Sequence, residues 1–310
     1  MTPKSTAELC SRLTQGDVLI LDGAFGTELE RMRAISTSPI WSAEVIDTRE
    51  ELVSSIHKDY IFAGADIITT GTFRTTKRTL AKVGRAKDYE KLTLNAVRLA
   101  RQAIDSSGQA RTVWVAGSIA PLEDCYQPSL VPSDEECRKE HRIQAELLAS
   151  AGVDLILCET FNSVHEGIAA LEVSVPLGLP VFLSFTATAT GELLSGEGFR
   201  DLTAAFGELK PDCLLVNCTP TQELRMALER LLACWDGPVG AYGNIGTGSA
   251  YHWEFTDDVS PSSYLGYAKN WVSMGAQVIG GCCGTNPEHI KHLRYHLPER
   301  IPFQRASRQG

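Results

Sequence analysis

Short runs of apolar and β-branched residues recur along the chain every few tens of residues, at 18–21, 66–70, 113–116, 155–158, 181–185, 214–217, 239–242 and 277–279. Each is short enough for a strand buried on both faces, and between them lie longer stretches with the 3.6-residue periodicity of amphipathic helices. Residues 88–106 read as one such helix. Asp47-Thr48-Arg49-Glu50 opens another, Ser133 with Glu136 has the spacing of a capping box, and Pro220 and Pro287 fall near helix starts, where a missing N–H is harmless. Strand and helix alternating eight times predicts an all-parallel sheet closed on itself, an α/β fold of the (β/α)8 TIM barrel type. No linker, low-complexity tract or charge block interrupts residues 1–310, which predicts a single domain. A doubly wound open sheet is the rival, but Gly23-Ala24-Phe25-Gly26 after the first run lacks the G-x-G-x-x-G fingerprint of dinucleotide binding.

In such a barrel the chemistry gathers where strands end and run into the following loops. The polar residues at those ends are Asp22, Thr70 to Thr72, Ser118, Glu159, Thr160, Asn217, Cys218, Asn244, Cys282 and Cys283. Cys218 closes the sixth run and the Cys282-Cys283 pair the eighth, so barrel closure brings all three thiols to one rim. Adjacent side chains on a strand point to opposite faces, so two neighbouring cysteines share a metal only after the strand has left its pleat. Gly280, Gly281 and Gly284 permit that bend.

Three thiolates suit tetrahedral Zn²⁺, and three protein ligands instead of four leave a position for substrate, the mark of a catalytic site. Metal coordination deprotonates a thiol that would otherwise titrate near 8.5, producing a nucleophile for saturated carbon. By valence, Zn²⁺ with three thiolates carries a net negative charge and favours a cationic partner, such as a sulfonium or quaternary ammonium methyl donor. The other six cysteines, Cys10, Cys125, Cys137, Cys158, Cys213 and Cys234, read as small hydrophobes.

The formal net charge of −9, with no Lys/Arg run, argues against a nucleic-acid partner and for a small molecule. No apolar stretch approaches the roughly 18 residues of a membrane span, and the N-terminus lacks a signal-peptide pattern, so the expectation is a cytoplasmic enzyme without membrane attachment. No lysine ends any of the eight runs, which disfavours Schiff-base aldolase chemistry. A redox or zinc-holding barrel without catalysis is the remaining rival, since vicinal thiols also oxidise.

Four motifs resemble the homocysteine S-methyltransferase family: Leu21-Asp-Gly-Ala-Phe-Gly-Thr-Glu-Leu, Leu157-Cys-Glu-Thr-Phe, Val216-Asn-Cys-Thr and Gly280-Gly-Cys-Cys-Gly-Thr-Asn-Pro. The resemblance implies a zinc-binding barrel with Cys218, Cys282 and Cys283 as ligands, L-homocysteine held by its thiol, and its amino group met by Glu159. It also matches Asp22 to the family's first-strand aspartate, making Glu159 and Asp22 the expected catalytic pair. Gly23 shares the turn of Asp22. Thr70, Thr72 and Ser118 are expected to donate to a substrate carboxylate, and Asn217 is expected both to contact substrate and to order the metal shell. Phe25 and Trp41 present aromatic faces for a cationic donor.

Family members differ in that donor, and Trp41-Ser42-Ala43 resembles the branch that uses S-methylmethionine, with S-adenosylmethionine as a second donor. A betaine-using or selenocysteine-type methyltransferase of the same family is the alternative. The chain leaves no room for separate folate and cobalamin modules. Gly284 and Asn286 depart from the Arg and Thr frequent at those positions.

Overall fold

The computed structural model describes residues 3–35, 38–249, 252–256 and 259–301. All eight expected runs are parallel strands: β1 (Leu19–Ile20), β2 (Ile67–Thr69), β3 (Trp114–Ile119), β4 (Leu155–Phe161), β5 (Val181–Phe185), β6 (Cys213–Pro220), β7 (Val239–Asn244) and, after a short antiparallel hairpin of β8 (Thr247–Ser249) with β9 (His252–Glu254), β10 (Val278–Ile279). The hairpin was not expected from the sequence. The strands pair in the order β1-β10-β7-β6-β5-β4-β3-β2. Leu21 bridges Ile67, and the Asp22 N–H donates to the Ile67 carbonyl at 2.9 Å, which closes the sheet into the predicted barrel.

Strand alternation divides the buried residues into two bodies. Leu19, Leu21, Ile67, Trp114, Ala116, Leu155, Leu157, Phe182, Cys213, Leu215, Tyr242 and Val278 fill the barrel interior, and Leu9 and Leu13 of the N-terminal helix Pro3–Thr14 join them. Their neighbours in sequence, among them Ile20, Ile68, Val115, Ile156, Leu183, Leu214, Val216 and Ile279, face outward into the layer beneath the helices. On the inward parity, Ala116 is followed by Ser118, Leu157 by Glu159 and Leu215 by Asn217, while Val278 leads through Gly280 to Cys282. The packed interior therefore turns polar at the strand ends, where a barrel carries its chemistry.

The helix signals hold. Ser133 begins the helix Asp134–Ala151 with its N–H donating to Glu136 at 3.2 Å. Asn286, one of the two family departures, caps the helix Pro287–His296: its Oδ1 accepts from the N–H groups of Glu288 (3.0 Å) and His289 (3.3 Å). Among the described residues, no helix is long and apolar enough to cross a membrane.

Gly284, the other departure, is dictated by space. Its φ is +83°, and an added Cβ would lie 2.0 Å from the Ile245 carbonyl oxygen. Any side chain there must displace the backbone that follows the cysteine pair. Gly284→Ala is expected to lower stability by about 2 kcal/mol or more and to loosen metal retention at Cys282 and Cys283. Thermal melting, with and without added zinc, reads both effects, and a melt like that of the native chain would contradict them.

Candidate metal centre and substrate pocket

Two parallel strands break their register at the same height. The β4–β5 pairing shifts between Cys158 and Phe161, and the β6–β7 pairing between Asn217 and Pro220. At each bulge a non-glycine residue takes a positive φ, 65° for Thr160 and 50° for Cys218. Such a conformation costs about 1–3 kcal/mol and persists only where its surroundings enforce it. Asn217 does much of the enforcing: its Oδ1 accepts from the Thr160 N–H (3.0 Å) and the Ser184 hydroxyl (2.7 Å), while its Nδ2 donates to Thr160 Oγ1 (2.8 Å). The Thr186 hydroxyl holds the Cys218 carbonyl at 3.1 Å.

On the other side of the rim, the loop after β10 is laced down by its backbone. Gly281 N donates to the Asp22 carbonyl (3.0 Å), Cys282 N to Gly243 (3.0 Å), and Ile245 N to the Cys283 carbonyl (2.9 Å). The hydroxyls of Tyr264 and Thr285 donate to the Gly280 and Cys282 carbonyls, each at 2.8 Å. The chain has left its pleat here, as two cysteines serving one site require.

The three sulfurs lie within 4.8 Å of one another, Cys218 and Cys283 at 4.0 Å. Tetrahedral zinc with bonds of about 2.3 Å would hold its sulfurs roughly 3.8 Å apart, so the cluster fits such an ion with small adjustments. Among the described residues, no histidine or carboxylate joins this cluster as a fourth ligand. Hydrogen bonds from the Cys218 and Cys283 thiols hold the Cys282 thiol well below its ordinary range, while the Cys218 thiol is pushed up in exchange. Asn217 Nδ2 points toward the Cys282 sulfur at 4.0 Å.

The cysteines open into a cleft whose wall also carries Asp22, Gly23, Phe25, Trp41, Thr70 and Glu159. Burial lifts Glu159 to about 8, with the neighbouring Cys282 and Asp22 adding to the rise against a hydrogen bond from Ser118. Ser118 Oγ donates to Glu159 Oε1 at 2.5 Å, and the Tyr242 hydroxyl donates to Oε2 at 3.4 Å. Burial also lifts Asp22 to about 7, although Thr69 donates to it through its N–H (2.7 Å) and hydroxyl (2.9 Å). Two carboxyls kept near neutrality in a cleft beside three thiols mark a functional site on physical grounds.

Three expected substrate contacts stand behind the wall instead of on it. Thr72 donates to the Ser118 carbonyl (2.7 Å) and shares a hydrogen bond with Thr70 (2.8 Å), and Ser118 and Asn217 spend their polar atoms on Glu159 and the bulges. Thr70 itself lines the cleft while also accepting from Ser118 N at 3.1 Å. Trp41 packs over Gly26, where an added Cβ would meet its ring at 2.2 Å, and Phe25 stacks on His57 with centroids 5.4 Å apart.

Several wall residues carried no signal in the sequence. They include Tyr126, whose hydroxyl touches the Cys218 sulfur at 3.1 Å, and Trp253, brought in by the β8–β9 hairpin. Arg74 is buried with its guanidinium 5.0 Å from the Phe73 ring centre. Cys125, read as a plain small hydrophobe, also faces the cleft, whereas Cys137, Cys158 and Cys213 do lie in the core.

Residues 19–297 match a family model described as homocysteine S-methyltransferase. The chain is 32% identical over 305 residues to the homocysteine S-methyltransferase of Escherichia coli strain K12, covering 91% of this chain and 96% of that protein. It is 28% identical over 313 residues to homocysteine S-methyltransferase 1 of Zea mays, covering 92% and 96%. The crystal structure of the Escherichia coli homocysteine methyltransferase MmuM in its metallated form superposes with a TM-score of 0.81 at 30% identity, over 93% of this chain and 99% of that one.

Proposed function

Because the chain belongs to the homocysteine S-methyltransferase family, we propose that it is a zinc-dependent cytoplasmic enzyme that transfers a methyl group from S-methylmethionine to L-homocysteine, giving methionine. S-adenosylmethionine is the second sulfonium donor in this reading. The observation that carries it is the meeting of three cysteine sulfurs with two buried carboxyls in one aromatic-walled cleft.

Cys218, Cys282 and Cys283 would hold the metal, whose contribution when bound is to keep the acceptor's sulfur in its thiolate form at neutral pH. The amino group of the acceptor finds Glu159, which Ser118 and Tyr242 orient from behind. An ammonium beside that carboxyl displaces the proton that burial otherwise keeps on it, so acceptor binding strengthens as pH rises toward about 8. Asp22, tied to Thr69, stands in the same wall and adds negative potential for a cationic donor. Phe25, Trp41 and Trp253 offer ring faces to that cation, a contact worth about 0.5–2 kcal/mol. The acceptor sulfur then forms a bond to the methyl carbon while the donor's sulfur–methyl bond breaks, and the electron pair leaves with a neutral thioether.

Methionine formation from homocysteine, measured with S-methylmethionine, S-adenosylmethionine and betaine supplied separately, tests the donor assignment. Turnover with S-methylmethionine well above the other two is the expected result. Turnover with betaine alone would overturn the donor, and none with any donor would overturn the activity.

A further inference from the structure

A site that brings an alkylating cation up to several thiolates has a selectivity problem. All three cysteines line the cleft, and each is itself a sulfur nucleophile. Cys218 sits on the β6 bulge with its backbone at φ 50°.

We propose that Tyr126 shields Cys218 from the methyl donor, so that the methyl group goes to the acceptor's sulfur and not to the protein's own. This rests on the methyl-transfer reading above. The Tyr126 hydroxyl lies 3.1 Å from Cys218 Sγ, within hydrogen-bond reach of that sulfur. A metal-held cysteine has given up its proton, so the phenol is the donor and the thiolate the acceptor. A charge-assisted hydrogen bond of this kind ties up a sulfur lone pair and lowers its reactivity toward carbon. Tyr126 acts through Cys218 and is a positioning residue, not a catalytic one.

The fold keeps the phenol at that sulfur. Tyr126 sits on the loop after β3, and two residues that follow β4 pin the loop down. The Glu166 carboxylate accepts from Leu122 N at 2.8 Å, and Asn162 Nδ2 donates to the Cys125 carbonyl at 3.1 Å. Asp124 closes the turn by accepting from Tyr126 N at 2.9 Å. Glu166 is fully buried and meets His141 at 3.1 Å, so the anchor lies well inside the molecule.

The suppressed side reaction balances simply. Cys218 Sγ would form a bond to the methyl carbon while the donor's sulfur–methyl bond breaks and its electron pair departs with the thioether. Cys218 would become a neutral methyl thioether and a weaker ligand.

The test uses zinc-loaded native protein and Tyr126→Phe, treated with methyl iodide without homocysteine, then digested and weighed for methyl groups on Cys218 and Cys282. The ratio of methylation at Cys218 to that at Cys282 is expected to rise about tenfold or more in the variant. General loosening would expose both cysteines together and leave the ratio unchanged. An unchanged ratio overturns the shield, as does a variant that no longer holds zinc, since Tyr126 would then serve assembly. A parallel arm replaces methyl iodide with S-methylmethionine, with and without homocysteine. A rise with methyl iodide, but no transfer from S-methylmethionine to cysteine or homocysteine, sustains the shield on Cys218 and brings down the donor assignment.

Discussion

Cys282→Ala is expected to lose zinc and methyl transfer together, with metal affinity falling at least about a thousandfold and turnover becoming undetectable against the native chain. Structural zinc sites draw on the order of 10–16 kcal/mol from their full ligand set, so each thiolate carries several kcal/mol. Cys282 is also the sulfur toward which the other two thiols donate, so its removal dissolves the cluster and not merely one corner of it. The fold should survive, because the backbone bonds from Cys282 N to Gly243 and from Thr285 to the Cys282 carbonyl do not involve the side chain. Circular dichroism and a metal assay on the same sample separate the two effects. A variant that keeps its zinc and its turnover would show the cysteine cluster to be structural.

Glu159→Gln should separate recognition from metal binding. Glutamine fills the same space and can still accept from Ser118, but it offers an ammonium no charge. The expected result is a homocysteine KM raised about 10- to 100-fold with zinc content unchanged. Stability should move the other way. The native carboxyl titrates at about 8 in the folded chain against an ordinary 4.5. A raised carboxyl stabilises the fold fully below the lower value, and that contribution is lost as pH rises through the upper one. Without substrate, the charged carboxylate at pH 9 therefore costs on the order of a few kcal/mol that the amide does not. The variant should melt higher than the native chain at pH 9, by a margin that shrinks toward pH 5. Normal homocysteine affinity in the variant would remove Glu159 from the substrate site.

The barrel was legible because its strands are buried on both faces and so read as apolar runs against amphipathic helices. The cysteine site was legible because two glycine-flanked thiols at one strand end have few uses and a third closes another strand. The bulges were not. Thr160 and Cys218 take positive φ without glycine, the first under the constraint of Asn217 and the second with its carbonyl held by Thr186, and no local pattern announces either.

Thr72, Ser118 and Asn217 show the same limit. A polar residue at a strand end is visible as polar, but whether its hydroxyl or amide meets substrate or another part of the protein depends on contacts 33 to 57 residues away. Inward parity would have placed Tyr242 beside Glu159, since it falls two residues after Gly240 on the face that also carries Val278 and Leu215. Tyr126 had no such cue, because loop residues carry no period, and its position depends on Glu166 and Asn162.

The proposed activity requires zinc held by three cysteines with room for a fourth sulfur. X-ray absorption at the zinc edge, on purified protein before and after homocysteine is added, tests that directly. It is expected to show one zinc per chain with three sulfur neighbours, rising to four with homocysteine. No bound zinc, or a sulfur count that homocysteine leaves unchanged, would contradict it.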